Sequence, residues 1–101
     1  MDMAEKERIA RYRDSSKVAI ARRLKAARMM LNFNQKEFAK RLEVPYTTYN
    51  SQESKGVPGM EVLDYLYKNH MIGANFILFG EVFNLPCDVQ DRIIAALVAH
   101  D

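Results

Sequence analysis

Two short helical patterns separated by only three residues are the feature of this sequence that most restricts its fold. Asn34, followed three residues later by Glu37, is typical of the capping box that begins a helix, and we expect this helix to end at Leu42. Glu43-Val44-Pro45 interrupts the pattern, and its proline favours the first turn of a second helix, which we expect to run to about Gln52. This segment is therefore predicted to form a pair of short helices joined by a tight turn.

Apolar residues recur every three to four positions in most of the remaining chain, which indicates further helices. Ser15 or Ser16 is a candidate N-cap for the first of them. These helices are predicted over residues 17–30, 60–67, 74–79 and 88–100. Residues 1–16 mix charges of both signs with few apolar side chains, so we expect an exposed helix or a frayed arm without a role in the core. The predicted fold class is all-α, with a five-helix domain in residues 17–80 and an additional C-terminal helix in residues 81–101.

The size and composition of the chain indicate one globular domain. It has 101 residues, of which 49% are hydrophobic and 28% are charged, a balance that disordered and fibrous chains do not have. No apolar run approaches the roughly 20 residues needed to span a bilayer, and residues 1–13 are too charged for a signal peptide. The lone Cys87 can form neither an internal disulfide nor a zinc site. We therefore expect a cytoplasmic protein that contacts no membrane and needs no cofactor.

The charges are segregated along the chain although the net charge is only +2. Residues 17–41 contain eight Lys and Arg residues and a single acid, whereas residues 42–101 contain three bases and eight acids. Such polarity suits a protein that orients itself on a polyanion. The alternative is that the basic side chains only solubilise the outer faces of two helices, and charge alone does not decide between these interpretations.

Seven residues carry a resemblance to a known family. The pattern contains a glutamine, an apolar residue followed by alanine, a valine after the turn, a further apolar residue and a final glutamate, which here are Gln35, Phe38, Ala39, Leu42, Val44, Tyr49 and Glu53. This pattern resembles the Xre-type family of lambda-like phage repressors and Cro proteins, and the resemblance extends from about Arg23 to Gly80. It implies a lambda-repressor-like DNA-binding domain, in which the second helix of a helix-turn-helix motif enters the major groove.

The resemblance also implies which residues contact DNA. Base edges would be contacted from the second helix of the motif by Tyr46, Thr47, Thr48, Asn50 and Ser51. None of these is charged; asparagine suits adenine and threonine methyl groups suit thymine, so a weak preference for A·T base pairs is expected. Phosphate groups would be contacted by Gln35, by backbone N–H groups capped by Asn34, and by Arg23, Lys36 and Lys55. The alternative interpretation is an ordinary polar helix face.

Four positions bear on the packing of the motif. Arg28 and Glu53 stand where the family has a structural ion pair, which fixes geometry more than it adds stability. Glu43 stands where the family often has glycine, so we expect a strained turn. Gln52 stands where the family usually has a large apolar residue, so the family pattern does not predict how the second motif helix packs at this position.

A second copy of the chain is the expected partner, because proteins of this kind bind two half-sites about 34 Å apart as dimers. The C-terminal helix is the candidate dimer interface, since an isolated apolar stripe needs a partner. This stripe consists of Val89, Ile93, Ile94, Leu97 and Val98. The equally weighted alternative is that the helix folds back on its own core.

Other classes of function have less support in the sequence. His70, His100 and Cys87 are separated and have no evident orienting partners, so we expect neither catalysis nor metal binding. Four methionines at helical spacings are interpreted as core fillers, namely Met29, Met30, Met60 and Met71. The main rival is an antitoxin or protein-interaction module that uses the same fold. The function we expect is that of a sequence-specific transcriptional regulator, most simply a repressor, which binds double-stranded DNA in the nucleoid.

Overall fold

A computed structural model describes residues 1–100. Within them the chain forms seven helices and no strand: α1 (Met3–Ala10), α2 (Lys17–Met30), α3 (Gln35–Leu42), α4 (Tyr46–Lys55), α5 (Met60–His70), α6 (Ala74–Phe79) and α7 (Cys87–Ala99). The predicted all-α class is confirmed. The predicted pair of short helices corresponds to α3 and α4, although α4 continues beyond its expected end. Between residues 1 and 100, no helix has both the length and the apolar character required to cross a membrane.

Polar side chains at three N-termini explain where helices begin. Asp2 and Ser16 accept backbone N–H groups from the first turns of α1 and α2 at 2.8 and 3.2 Å. At α3, Asn34 Oδ1 accepts the backbone N–H of Glu37 at 2.8 Å, and the Glu37 carboxylate accepts the backbone N–H of Asn34 at 3.0 Å. This is the capping box predicted from the sequence, and it satisfies two donors that a helix start would otherwise leave unpaired.

Left-handed backbone ends both helices of the α3–α4 pair. Glu43 follows α3 with φ 60°, so the expected strain of a non-glycine residue at this position is present, at about 1 kcal/mol. Gly56 follows α4 with φ 70°. A Cβ atom at Gly56 would overlap the backbone carbonyl of Lys17. Only glycine therefore allows the end of α4 to approach the start of α2 so closely.

Helix α2 lies at the centre of the molecule and packs against α4, α6 and α7. The core includes fully buried side chains from six of the helices: Leu24, Phe38, Tyr49, Leu66, Phe76, Ile77, Ile93 and Leu97. The ring of Phe38 in α3 lies edge-on to the rings of Tyr49 and Tyr65, at centroid distances of 5.1 and 5.7 Å. These aromatic contacts join α3, α4 and α5.

The N-terminal segment is part of the packed structure, which corrects the expectation that it has no role in the core. Helix α1 packs against α7, and Ala10 is completely buried. Lys6 Nζ donates to the side-chain oxygen of Gln90 at 3.0 Å and lies 3.6 Å from the carboxylate of Asp91. The small side chain of Ala10 allows the end of α1 to come close to its neighbours. The charged residues on the outer face of α1 dominate its composition, so no sequence pattern indicated this packing.

The C-terminal helix folds back on its own chain, which agrees with the second of the two alternatives and not with the candidate dimer interface. It packs along α2 and α1. Four of the five residues proposed for the interface are buried in this way, namely Val89, Ile93, Ile94 and Leu97. Only Val98 stays exposed, at 60%. The apolar stripe of α7 thus belongs to the core, because α2 offers it a complementary apolar face within the same molecule.

The interpretation of the methionines as core fillers is wrong for two of the four. Met30 is buried and Met29 is half-buried, but Met60 and Met71 are 75% and 66% exposed. Both lie at the ends of α5, where the helical spacing continues but the neighbouring elements do not cover them.

Candidate nucleic-acid interface

One face of α4 is polar and accessible, and its opposite face is buried. Tyr49 and Glu53 lie one helical turn apart on the buried side. The accessible side carries the charged Lys55 at its C-terminal end and several exposed or half-buried side chains without charge, which include Tyr46, Thr47, Thr48, Asn50 and Ser51. All five predicted base-contacting residues are thus brought together on one surface.

Arg28 of α2 and Glu53 of α4 form a buried ion pair at the back of this helix. Arg28 Nε donates to Glu53 Oε1 at 2.7 Å, and Nη2 donates to Oε2 at 3.2 Å. The third donor, Nη1, reaches the backbone carbonyl of Phe33 at 2.7 Å. Tyr49 Oη and Gln35 Nε2 also donate to the carboxylate, at 2.8 and 2.6 Å. These charge-assisted bonds fix α4 against α2 and the start of α3.

The pair remains ionised although it is buried. Desolvation raises the pKa of Glu53, but hydrogen bonds from Arg28, Tyr49 and Gln35 outweigh it and hold that pKa below its usual value. Desolvation lowers the pKa of Arg28, but the hydrogen bond and charge of Glu53 leave it above its usual value. Burial and the negative charge of Glu53 raise the pKa of Tyr49, so its hydroxyl stays protonated and donates. The directions for Arg28 and Glu53 agree that each partner favours the charged form of the other.

A short series of amide hydrogen bonds connects this pair to the accessible face. Gln35 donates through Nε2 to Glu53 and accepts through Oε1 from Asn50 Nδ2 at 3.3 Å. The same Asn50 nitrogen lies 3.4 Å from the hydroxyl oxygen of Tyr46. Asn50 is therefore positioned from within the protein by Gln35, and Tyr46 lies beside it on the accessible face.

Donor groups suited to an anion border the accessible face of α4. Lys36 Nζ lies 5.6 Å from the centroid of the Tyr46 ring, and both Lys36 and Lys55 are exposed. The first turn of α3 lies beside this face, and the backbone N–H groups of a first turn have no acceptors within their own helix. A shallow cleft of about 380 Å³ is lined here by Arg28, Asn34, Gln35, Lys36 and Tyr46. The backbone N–H of Asn34 is itself taken by Glu37, so the free donors of this turn belong to Gln35 and Lys36.

The predicted phosphate contact of Arg23 is wrong. This side chain has no exposed surface. Its guanidinium donates to four backbone carbonyls, those of Ala10 at 2.8 Å, Arg11 at 2.7 Å, Asp14 at 2.6 Å and Ile77 at 3.1 Å. Arg23 therefore joins α2 to the end of α1 and to α6, and it cannot reach a phosphate.

Gln52 has a role that the sequence comparison with the family did not predict. Its Oε1 atom accepts the backbone N–H of Gly59 at 2.8 Å. Gly59 precedes α5, so this contact fixes the loop after α4. A polar residue fits at this position because the loop backbone supplies a donor where an apolar partner would otherwise be needed.

Sequence reasoning also missed the hydroxyl of Tyr49. Tyr49 was assigned only as an apolar residue of the family pattern, yet its Oη donates to Glu53 four residues later. The spacing of four was the available indication, because side chains at i and i+4 meet on one helix face. The same rule would have placed Asn50 beside Tyr46.

No protein-family model, curated protein or solved structure matches this chain. Its function is therefore inferred from the surface formed by α3 and α4 and from the groups behind it.

Proposed function

We propose that this protein is a sequence-specific regulator of transcription that binds double-stranded DNA. In this proposal residues 17–80 form a lambda-repressor-like domain, and α3 and α4 are its helix-turn-helix motif. The observation that carries the proposal is the accessible polar face of α4, which a buried ion pair holds from behind. An α-helix is about 10–12 Å across with its side chains, which fits a major groove about 12 Å wide, and the 10 residues of α4 extend about 15 Å along it.

The two kinds of DNA contact come from different parts of this surface. Hydroxyl and amide groups on α4 have the donors and acceptors needed to distinguish base edges. The exposed ammonium groups of Lys36 and Lys55 and the N–H groups at the start of α3 are suited to phosphates, which set register without reading sequence. Since α4 presents no charge toward the bases, the lysines supply most of the affinity, and binding weakens as salt concentration rises.

Selection of bound duplexes from a random pool tests the proposal. We expect a consensus made of two related half-sites, because one short helix reads only a few base pairs. The matched control is Asn50→Ala, which removes one reading group without touching a lysine. It is expected to lose preference at one base pair and to keep the rest of the consensus. A pool that shows no enrichment after repeated rounds would contradict the function.

The partner copy that a two-half-site consensus requires must use a surface other than the buried stripe of α7. Sedimentation with and without a selected duplex measures this. We expect two protein chains on each duplex, and a single chain on the full site would refute the dimer.

A protein-interaction module is the second candidate function, and one observation favours it. An open cleft of about 970 Å³ runs along α5, and its rim includes the exposed side chains of Met60, Tyr67 and Met71. Flexible methionines and a tyrosine are typical of surfaces that contact other proteins. A double variant, Tyr67→Ser with Met71→Ser, is expected to leave DNA selection unchanged. If instead the parent enriches no DNA and the double variant abolishes its association with another protein, this second function replaces the first.

A further inference from the structure

The buried carboxylate of Glu53 determines how the amide of Gln35 is oriented. An ionised carboxylate accepts hydrogen bonds and donates none. Its Oε2 atom lies 2.6 Å from Gln35 Nε2, so the amide nitrogen must be the atom that faces it. With the amide turned round, two acceptors would meet in a half-buried position, at the cost of an unsatisfied group. Gln35 therefore always presents its oxygen, Oε1, toward α4.

The oxygen of Gln35 in turn determines the orientation of Asn50. Gln35 Oε1 lies 3.3 Å from Asn50 Nδ2, and an acceptor here requires a nitrogen opposite it. The hydroxyl oxygen of Tyr46 is a second acceptor, 3.4 Å from the same nitrogen. A primary amide nitrogen carries two protons, so the half-buried Gln35 oxygen and the exposed Tyr46 hydroxyl offer one acceptor for each. The atom of the Asn50 amide that remains for an outside group is its oxygen, Oδ1.

We infer that Asn50 offers DNA a single acceptor and reads the exocyclic amino group of an adenine or a cytosine. This differs from the two-bond contact with adenine that an unconstrained asparagine makes, in which its nitrogen donates to N7. The inference rests on the proposed DNA-binding function. Glu53 and Gln35 are positioning residues in it, because they act on the base only through Asn50.

The chemistry of the major groove makes this a specific statement. Adenine N6 and cytosine N4 carry its hydrogen-bond donors, whereas guanine and thymine present only acceptors and a methyl group at the corresponding edges. A lone acceptor therefore rejects guanine and thymine at its contact point. It does not distinguish adenine by its N7 atom.

A double-mutant cycle between protein and base tests which atoms Asn50 uses. The base pair is the one whose preference is lost in Asn50→Ala. Replacing its adenine or cytosine by the analogue without the amino group is expected to weaken binding about three- to tenfold for the parent and not at all for Asn50→Ala. If the base is adenine, replacement by 7-deazaadenine is expected to affect both proteins equally. A loss with 7-deazaadenine that disappears in Asn50→Ala, or an unchanged affinity of the parent when the amino group is removed, would overturn the inference.

Gln35→Ala separates positioning from support of the fold. Without Gln35 Oε1 the Asn50 amide is free to turn, and its nitrogen can then donate to N7 of adenine. We therefore expect Gln35→Ala to bind a 7-deazaadenine duplex more weakly than the adenine duplex. A merely structural role would weaken all duplexes alike and create no such dependence. The melting temperature of the variant, measured in parallel, shows that the protein used is folded.

Exchange of side-chain amide protons with water tests the orientation without DNA. The Nδ2 protons of Asn50, followed by nitrogen-15 NMR, are expected to exchange more slowly than those of the exposed Asn84. Gln35→Ala and Tyr46→Phe should each accelerate the exchange. Rates like those of Asn84 in the parent would overturn the inference whether or not DNA binds. If exchange is slow but no duplex is enriched, the proposed function fails and the reading of bases fails with it, while the orientation stands.

Discussion

Two arginines lie five residues apart on α2, both are buried, and they are held in different ways. Arg28 forms an ion pair with the carboxylate of Glu53 in α4, with Nε 2.7 Å from Oε1. Among residues 1–100 no carboxylate contacts Arg23, which donates instead to backbone carbonyls of the α1–α2 connection and of α6. The first arginine positions the helix proposed to read DNA, and the second joins the elements that surround α2.

The difference shows two solutions to the cost of burying a guanidinium. A paired carboxylate neutralises the charge directly, so the pKa of Arg28 lies above its usual value despite desolvation. Carbonyl dipoles at helix ends satisfy the donors of Arg23 but neutralise less of the charge. Desolvation therefore lowers the pKa of Arg23 to about 10, opposed by the charge of Asp14. Arg23 remains a cation at neutral pH, and its hydrogen-bond acceptors within residues 1–100 are backbone carbonyls.

Loss of Arg28 is expected to have the largest effect on stability. Arg28→Ala leaves Glu53 buried with a charge and no counter-ion, which should lower the free energy of unfolding by about 3–5 kcal/mol. Urea denaturation measures it. In the double variant Arg28→Ala with Glu53→Ala the uncompensated charge is absent, so the loss should be smaller than in Arg28→Ala alone. An unchanged melting temperature for Arg28→Ala would refute a stabilising pair.

Loss of Arg23 is expected to cost less, about 2–3 kcal/mol, because it leaves neutral carbonyls unsatisfied and removes a buried charge at the same time. Lysine should not replace it, since one ammonium cannot reach four carbonyls from a single point. The matched control is Lys25→Ala, an exposed residue of the same helix. Should Arg23→Lys prove as stable as the parent, charge alone would matter and the comparison with Arg28 would lose its basis.

Acid should affect the two arginines differently. The pKa of Glu53 is lower in the folded protein than its ordinary value of 4.5. Its contribution is therefore complete above about pH 4.5 and is lost as pH falls through the lower folded pKa. The difference in stability between the parent and Glu53→Gln should shrink over this range, as measured by urea denaturation at several pH values.

The pH dependence of the free energy of unfolding of Arg23→Ala is the control for that measurement. The acid that acts on Arg23 is the nearby Asp14, whose charge raises the pKa of Arg23 and whose own pKa is lowered. The difference in stability between the parent and Arg23→Ala should change less with pH than the difference between the parent and Glu53→Gln. A gap between parent and Glu53→Gln that stays constant down to the lowest pH would show that the pair adds no acid-sensitive stability.

The sequence allowed one of these arginines to be assigned and not the other, for a physical reason. The partner of Arg28 is a charged side chain, and both residues stand where the family that the sequence resembles has an ion pair, so both could be named. The partners of Arg23 are backbone carbonyls, which every residue possesses and no sequence pattern marks. Arg23 was therefore counted with the surface bases of its helix.

The same distinction explains the other differences between sequence and structure. The capping box of α3 and the all-α class depend on local residue types and spacing, and both could be predicted. The stripe of α7 looks alike whether it faces a second chain or its own core, so Ile93 and Leu97 could not be assigned to either. The orientation of Asn50 depends on Gln35 and Glu53 together, which only three-dimensional contacts reveal.

The smallest expected effect concerns DNA and compares a surface lysine with the buried arginine. Lys36→Ala should reduce the slope of log affinity against log salt concentration by about 1, for all duplexes alike, because one fewer counterion is released. Fluorescence anisotropy on a selected duplex at several salt concentrations measures the slope. Lys68→Ala is the charge-matched control, since Lys68 lies on α5 and is paired with Asp64 at 3.1 Å.

Arg23→Ala completes this comparison when it is measured at a temperature where the variant is folded. Arg23 has no exposed surface, so its removal should leave the salt slope unchanged even though it removes a positive charge. The sum of charges would then not explain DNA affinity, whereas the position of each charge would. If the slope falls as much for Arg23→Ala as for Lys36→Ala, Arg23 must leave its carbonyl partners when DNA binds. The distinction between a buried arginine with a structural role and exposed lysines that bind phosphate would then be wrong.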